Sequence, residues 1–287
     1  MSHRILTIIW AAALVALASC NSKKSDRATV TVSIEPQRWL VEQIAGDRLH
    51  VNTLMERGAD PENFDPTLQT MQALSGSIAY FSTGRSASEK AITDRIHATH
   101  PDLPIIDTSK GIALIIGTHG AGNRVEATDP HIWNSIPNMR IMADNVAREL
   151  VLLDPEGADT YRAGYKRVLA RIDSLQAVAN EKLMPLQGAT VIVRHPSLSY
   201  FVRNYNMELL ALETEGKEAT PAGMASQLDK ARNAGAVIMI VQPSDNPQRA
   251  AELARQAGVP TAEVNLLDYD WISSMSKLID AIAATSK

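Results

Sequence analysis

Strand-like and helix-like segments alternate in two series along this chain, and one long helical stretch parts them. The first series contains the β-rich runs "ATVTVSIEP", "VNTLMERGADP", "IAYFSTG" and "PIIDTS", with "QRWLVEQIAGD" and "PTLQTMQALSGS" at helical spacing between them. The second contains "ATVIVRHPS", "MELLALE", "AVIMIVQP" and "PTAEVNLLD", separated by "SYFVRNY", "PAGMASQLDKARNAG" and "PQRAAELARQAG". Parallel strands need a crossover long enough to hold a helix, so this alternation implies parallel sheets covered by helices, twice over. The expected fold is α/β, with two Rossmann-like lobes joined by one long backbone helix and a ligand cleft between the lobes.

The separating stretch, residues 154–184, places Tyr161, Tyr165, Val168, Ile172, Leu175 and Ala179 at spacings of 4, 3, 4, 3 and 4, which is one buried stripe on a helix. Asp154 followed by Pro155 supplies a cap and a proline at the first helical position. At 1.5 Å per residue the helix is about 45 Å long, enough to run along both lobes and to limit hinge motion between them.

The N-terminus carries a different signal. "MSHRILTIIWAAALVALASC" has Arg4, then an apolar run too short to remain as a spanning helix, then small residues before Cys20. Cys20 is the only cysteine of the chain, which excludes an internal disulfide. "LASC" resembles the lipobox of bacterial lipoproteins, in which the cysteine becomes the lipidated first residue, and "NSKKSDR" reads as a polar tether. The expected organisation is a signal peptide over 1–19, a lipidated tether over 20–28, an N-terminal lobe over 29–153, the linking helix over 154–184 and a C-terminal lobe over 185–287. A net charge of −4 without a long basic run gives no reason to expect a nucleic-acid partner.

In open α/β sheets, ligands bind beyond the carboxyl ends of the strands. Metal-capable side chains stand at four such places: the acids of "GADPENFDP", His131 in "DPHIW", His195 in "VIVRHPS", and Asp268 with Asp270 in "EVNLLDYD". Each has a plain structural alternative. Asp129 and Pro130 can begin a helix, Asp65 and Pro66 can begin the helix "TLQTMQAL", and Asp268 or Asp270 can cap "WISSMSKLIDAIAA". His119 lies among glycines in a stretch that reads as a surface loop, and His97 and His100 are expected to face solvent near a helix end.

The segments "GADPENFDP", "DPHIW", "DPEGADTY", "HPSLSYF", "VQPSDNPQ" and "LLDYD" occur in that order, and over nearly all of residues 29–287 the chain resembles the substrate-binding lipoproteins of metal ABC importers, the cluster that takes up zinc or manganese. The resemblance implies metal ligands at Glu62, His131, His195 and Asp268, with Asp270 in reserve for the last. Family members usually have histidine where this chain has Glu62. His195 matches the zinc-type members, because manganese-type members tend to carry a carboxylate at that place. The implied cargo is Zn2+, with Mn2+ or Fe2+ as alternatives, since two oxygen donors move a site toward harder ions. The implied setting is extracytoplasmic, anchored through the lipid on the periplasmic side, with an ABC permease as partner; a monomer suits docking of that kind.

Two other functional classes fit parts of the sequence. A metallohydrolase would use the same four residues around an open position, but "HExxH", "GxSxG" and a glycine-rich phosphate loop are all missing from the sequence, so an enzyme is not expected. A surface adhesin or a binder of non-metal ligands on the same two-lobe scaffold is the remaining alternative, because fold does not determine ligand.

Overall fold

A computed structural model describes residues 27–55, 58–116, 128–214 and 217–286. Cys20, the expected signal peptide, most of the expected tether and His119 lie outside these residues. The first lobe runs β1 (Thr29–Val32), α1 (Glu35–Ala45), β2 (His50–Thr53), α2 (Leu68–Ser75), β3 (Ala79–Ser82), α3 (Ala87–Thr99) and β4 (Ile105–Asp107). Its sheet has the order β2-β1-β3-β4 and every pairing is parallel. Two helices follow, α4 (Ile136–Leu153) and the long α5 (Ala158–Leu183).

The second lobe starts with β5 (Thr190–Val193), α6 (Ser199–Asn204) and β6 (Glu208–Ala211), then a small antiparallel hairpin, β7 (Glu213–Thr214) and β8 (Lys217–Glu218). It ends with α7 (Pro221–Asn233), β9 (Ala236–Val241), α8 (Pro247–Ala257), β10 (Thr261–Glu263) and α9 (Trp271–Ala283). The order β10-β9-β5-β6 is again wholly parallel. All eight β-rich runs of the sequence become strands of the two parallel sheets. β3 and β5 are buried along their whole length, the state expected of central parallel strands covered on both faces.

One apolar core extends through both lobes, from Val30 and Trp39 to Leu278 and Ile282, and a smaller one lies on the outer face of the second sheet around Leu228 and Met239. α5 packs against α1, α4 and α9, so it contacts helices of both halves. Its buried face comprises Tyr161, Gly164, Val168, Ile172, Leu175, Ala179 and Leu183. Tyr165, expected on that stripe, is only half-buried and donates to Asp144 instead, because Gly164 occupies the closest approach to α1.

The beginning of this helix also differs from the expectation. Pro155–Gly157 form a 3-10 turn before the α-helix starts at Ala158, and the side chain of Asp154 caps nothing. Its carboxylate instead accepts from Nε and Nη2 of Arg48 and from the Tyr161 hydroxyl, and the Arg48 bonds hold it down to about 2. In α2 the cap is Thr67, whose hydroxyl accepts from the Thr70 amide, and not Asp65, which pairs with Arg95.

Hydrogen bonds sew the lobes together above this core. The Trp133 indole donates to the Leu266 carbonyl at 3.1 Å, and the Trp271 indole donates to the Trp133 carbonyl at 2.8 Å. Tyr269 donates to Glu42 on α1 at 2.6 Å, and Asn134 donates to the Ser197 carbonyl at 2.9 Å.

A Cβ built on Gly164 would lie 2.1 Å from the carbonyl oxygen of Ile44, which is backbone and cannot swing aside. Helix propensity alone favours alanine over glycine by about 1 kcal/mol. The clash outweighs it, so Gly164→Ala is expected to destabilise the protein by about 1–3 kcal/mol and lower its melting temperature in calorimetry.

Candidate metal centre

The chain beyond the carboxyl ends of β2 and β5 reaches the same cleft, as do the described residues just before α4, which carry His131. Beyond β2 the loop folds on Asp60, whose Oδ1 accepts from the Glu62 amide at 2.9 Å and whose Oδ2 accepts from Asn63 Nδ2 at 2.7 Å. The Pro61 carbonyl accepts from the Ser88 hydroxyl, which ties the loop to α3. These bonds turn the Glu62 side chain inward, where it is 25% exposed.

His131 precedes a 3-10 turn, Ile132–Asn134, and the chain then enters α4 with Ser135 as the cap. Asp129 does not cap α4: its fully buried carboxylate accepts from the His131 amide at 2.9 Å and faces His131 Nδ1 at 3.0 Å. The Asp129 carbonyl accepts from the Tyr200 hydroxyl at 2.8 Å, so this segment is held from the second lobe as well. His195 lies two residues beyond β5, in a turn closed by a bond from the Ser197 amide to its carbonyl at 2.7 Å.

Glu62, His131 and His195 converge, each offering a ligand atom within 4.8 Å of the others. Glu62 Oε1 is 3.6 Å from His195 Nε2 and 4.0 Å from His131 Nε2. Donors about 2.1 Å from one ion at the tetrahedral angle stand about 3.4 Å apart, so small side-chain movements suffice to close this triangle on a cation. Both imidazoles present Nε2 to Glu62 and Nδ1 to a carboxylate behind: Asp129 for His131, and Glu213 at 3.5 Å for His195. That arrangement fixes ring orientation and strengthens Nε2 as a donor atom. Glu213 is in turn bonded to Arg194, which also bonds Asp245.

Burial lowers the pKa of the His195 ring, but the hydrogen bond and charge of Glu62, helped by Glu213 and Asp60, outweigh it and leave the pKa above its ordinary value of 6.5. The acids around His195 thus favour its protonated form more than water does around a free imidazole. A proton and a metal ion therefore compete for one nitrogen.

Asp268 stands apart from the group of three. It is exposed on a turn in which its carboxylate accepts from the Asp270 amide at 3.0 Å and faces Asn265 Nδ2 at 3.3 Å, and Asn265 accepts from the Leu267 amide at 3.1 Å. Leu266 is buried and its carbonyl is taken by Trp133, while Asp268 on the turn that follows is exposed. Asp270 caps α9, accepting from the Ser273 amide at 3.2 Å and its hydroxyl at 2.6 Å. His97 and His100 are both exposed, as expected. The outer carboxylates were missed by the sequence reading: Asp129 read as a helix start, and Glu213 passed unmarked although it ends a β-rich run at the carboxyl edge of the sheet.

The family model described as zinc-uptake complex component A, periplasmic, matches residues 30–285. The manganese ABC transporter substrate-binding lipoprotein ScaA of Streptococcus gordonii is 22% identical over 266 residues, covering 86% of this chain and 84% of that protein. The iron ABC transporter substrate-binding lipoprotein MtsA of Streptococcus pyogenes is also 22% identical, over 261 residues, with coverage of 86% and 83%. Among solved structures, the crystal structure of ZnuA superposes with a TM-score of 0.83 at 29% identity, covering 91% of this chain and all of that one. The chain thus belongs to the zinc-uptake complex component A family, the metal-binding substrate-binding proteins of ABC importers, which are transport proteins and not enzymes.

Proposed function

We propose that this protein captures a divalent transition metal, Zn2+ foremost, on Glu62, His131 and His195 and delivers it to the permease of its importer. The observation that carries the reading is the convergence of those three side chains, with a carboxylate behind each imidazole. Two imidazoles and one carboxylate make a three-ligand set with a further position left for water or another oxygen donor. The order of affinities at nitrogen and oxygen sites places Zn2+ above Mn2+ and Fe2+, and His195 follows the zinc-type pattern.

Glu62 supports a second cargo. Two imidazoles with one carboxylate also suit Fe2+, and the carboxylate in place of a family histidine makes the set harder and more tolerant of Mn2+. Relatives named for manganese and for iron agree with that breadth. In our reading Asp268 remains on its turn and contributes no bond.

Among the described residues no helix is long and apolar enough to cross a membrane. We place the chain outside the cytoplasm as a monomer, held at the membrane by lipid on Cys20 after removal of residues 1–19. The tether over 20–28, the lobes over 29–153 and 185–287 and the linking helix over 154–184 complete the proposed organisation.

Calorimetric titration of the purified soluble domain with Zn2+ and Mn2+ tests the site. His195→Ala is expected to weaken Zn2+ binding by about 100-fold or more, and Asp268→Ala to change it by less than about threefold. Glu62→Gln should weaken both ions, whereas Glu62→His should retain Zn2+ and lose Mn2+ preferentially. Because the His195 pKa is raised, Zn2+ affinity should already fall as pH drops toward 6.5, by up to about tenfold per pH unit for each displaced proton. In cells, Cys20→Ala should move the protein from the membrane fraction to the soluble fraction.

A further inference from the structure

The segment that carries His195 continues from its turn through Leu198 into α6, and along the way it meets the segment that carries His131. The Ser197 carbonyl accepts from Asn134 Nδ2 at 2.9 Å, the Tyr200 hydroxyl donates to the Asp129 carbonyl at 2.8 Å, and Asn204 Nδ2 donates to the Ser135 hydroxyl at 2.6 Å. Apart from Asn204, every residue in these pairs is buried. The stretch from His195 to Asn204 is thus a splint against the stretch from Asp129 to Ser135.

The bond of Tyr200 differs from the other two in where it acts. Asp129 is the residue whose carboxylate accepts from the His131 amide at 2.9 Å and faces His131 Nδ1 at 3.0 Å. Holding the Asp129 carbonyl therefore holds the residue that orients the imidazole. The same hydroxyl accepts from the Ile115 amide at 3.2 Å, and the Asp129 amide donates to the Ile115 carbonyl at 2.9 Å. A hydroxyl can donate and accept at once, so one oxygen ties both sides of this short ladder to the second lobe. The ring itself is placed by packing: it is fully buried, and the Arg203 guanidinium lies over its face, 5.0 Å from the centroid. A phenylalanine ring would fill the same space, which separates the effect of the hydroxyl from that of the ring's volume.

We propose that Tyr200 is a positioning residue of the metal centre, whose hydroxyl sets the orientation of the His131 imidazole through Asp129. It acts from the second lobe on a ligand of the first, so the segment of one imidazole aims the other. The proposal rests on the reading that His131 and His195 bind the metal. An imidazole that binds a cation through Nε2 keeps its proton on Nδ1 and gives it to the carboxylate behind. Freeing the Asp129 backbone lets that carboxylate drift, and the ring loses the aim that the carboxylate provides. Outer partners of metal-binding histidines are worth about 10–100-fold in affinity, and a partner one step further out is expected near the lower end.

Calorimetric titration of the full-length chain with Zn2+ tests this by comparing the unaltered protein with Tyr200→Phe and Tyr205→Phe. Tyr205 follows the same helix, but its hydroxyl accepts from Gln176 of α5 at 3.1 Å, so its loss is the control for removing a tyrosine hydroxyl elsewhere. Tyr200→Phe is expected to weaken Zn2+ by about tenfold, and Tyr205→Phe by less than about twofold. Proton NMR of the Zn2+-loaded protein reads the Nδ1 proton of each ligand imidazole. The His131 resonance should be displaced in Tyr200→Phe and unmoved in Tyr205→Phe, a difference that a change in stability alone does not produce. Zn2+ binding by the unaltered chain with equal affinity in Tyr200→Phe overturns the proposal and leaves the metal reading intact. Equal weakening by both variants, or an unmoved His131 resonance in Tyr200→Phe, also overturns it. Absence of Zn2+ binding by the unaltered chain overturns the metal reading and this proposal with it.

Discussion

The reciprocal bonds between Trp133 and the second lobe, indole to the Leu266 carbonyl and Trp271 indole to the Trp133 carbonyl, are the constraint on which the cleft depends. Both partners are buried, and breaking either bond strands a polar group where water cannot reach it, at a cost of about 1–3 kcal/mol. Trp133 lies two residues after His131, so the clasp that joins the lobes also fixes one imidazole. The clasp holds Leu266 too, at the start of the turn that carries the exposed Asp268. The same pair of bonds thus links the segment of His131 to the turn that carries Asp268.

The long helix α5 acts on a larger scale. It lies against α1 and α4 on one side of the cleft and α9 on the other, and the core beneath it is continuous across both lobes. Opening such a cleft by hinge motion would expose part of that core, at about 25 cal/mol for every Å² of apolar surface. Movement on binding and release is therefore expected in loops and side chains at the cleft and not between the lobes.

Much of this was legible in the sequence, for physical reasons that differ from place to place. Strand runs such as "AVIMIV" and the stripe from Tyr161 to Ala179 are periodic over several residues, and burial acts on the whole pattern, so both survive local error. Helix beginnings were less legible. Asp154 has the chemistry of a cap, but Arg48, far away in sequence, offers its carboxylate a charged partner. Gly164 replaced Tyr165 on the buried face because the approach of α1 depends on backbone geometry that no spacing rule contains. At the site, residue type and position at strand ends pointed to the acids of the loop after β2 and to His131 and His195, the resemblance singled out Glu62, and the fold brings these three side chains together. Asp268 lies outside that group of three, and Glu213 was not legible because its contact with His195 arises only in the tertiary fold.

The central claim is that a metal ion here sees two imidazoles and the carboxylate of Glu62. X-ray absorption at the zinc edge of the Zn2+-loaded protein measures this most directly, since imidazole and oxygen ligands scatter differently. The account predicts a first shell of two imidazole nitrogens, from His131 and His195, with oxygen in the remaining positions near 2.0–2.2 Å. A shell with three imidazoles, or with fewer than two, would contradict it.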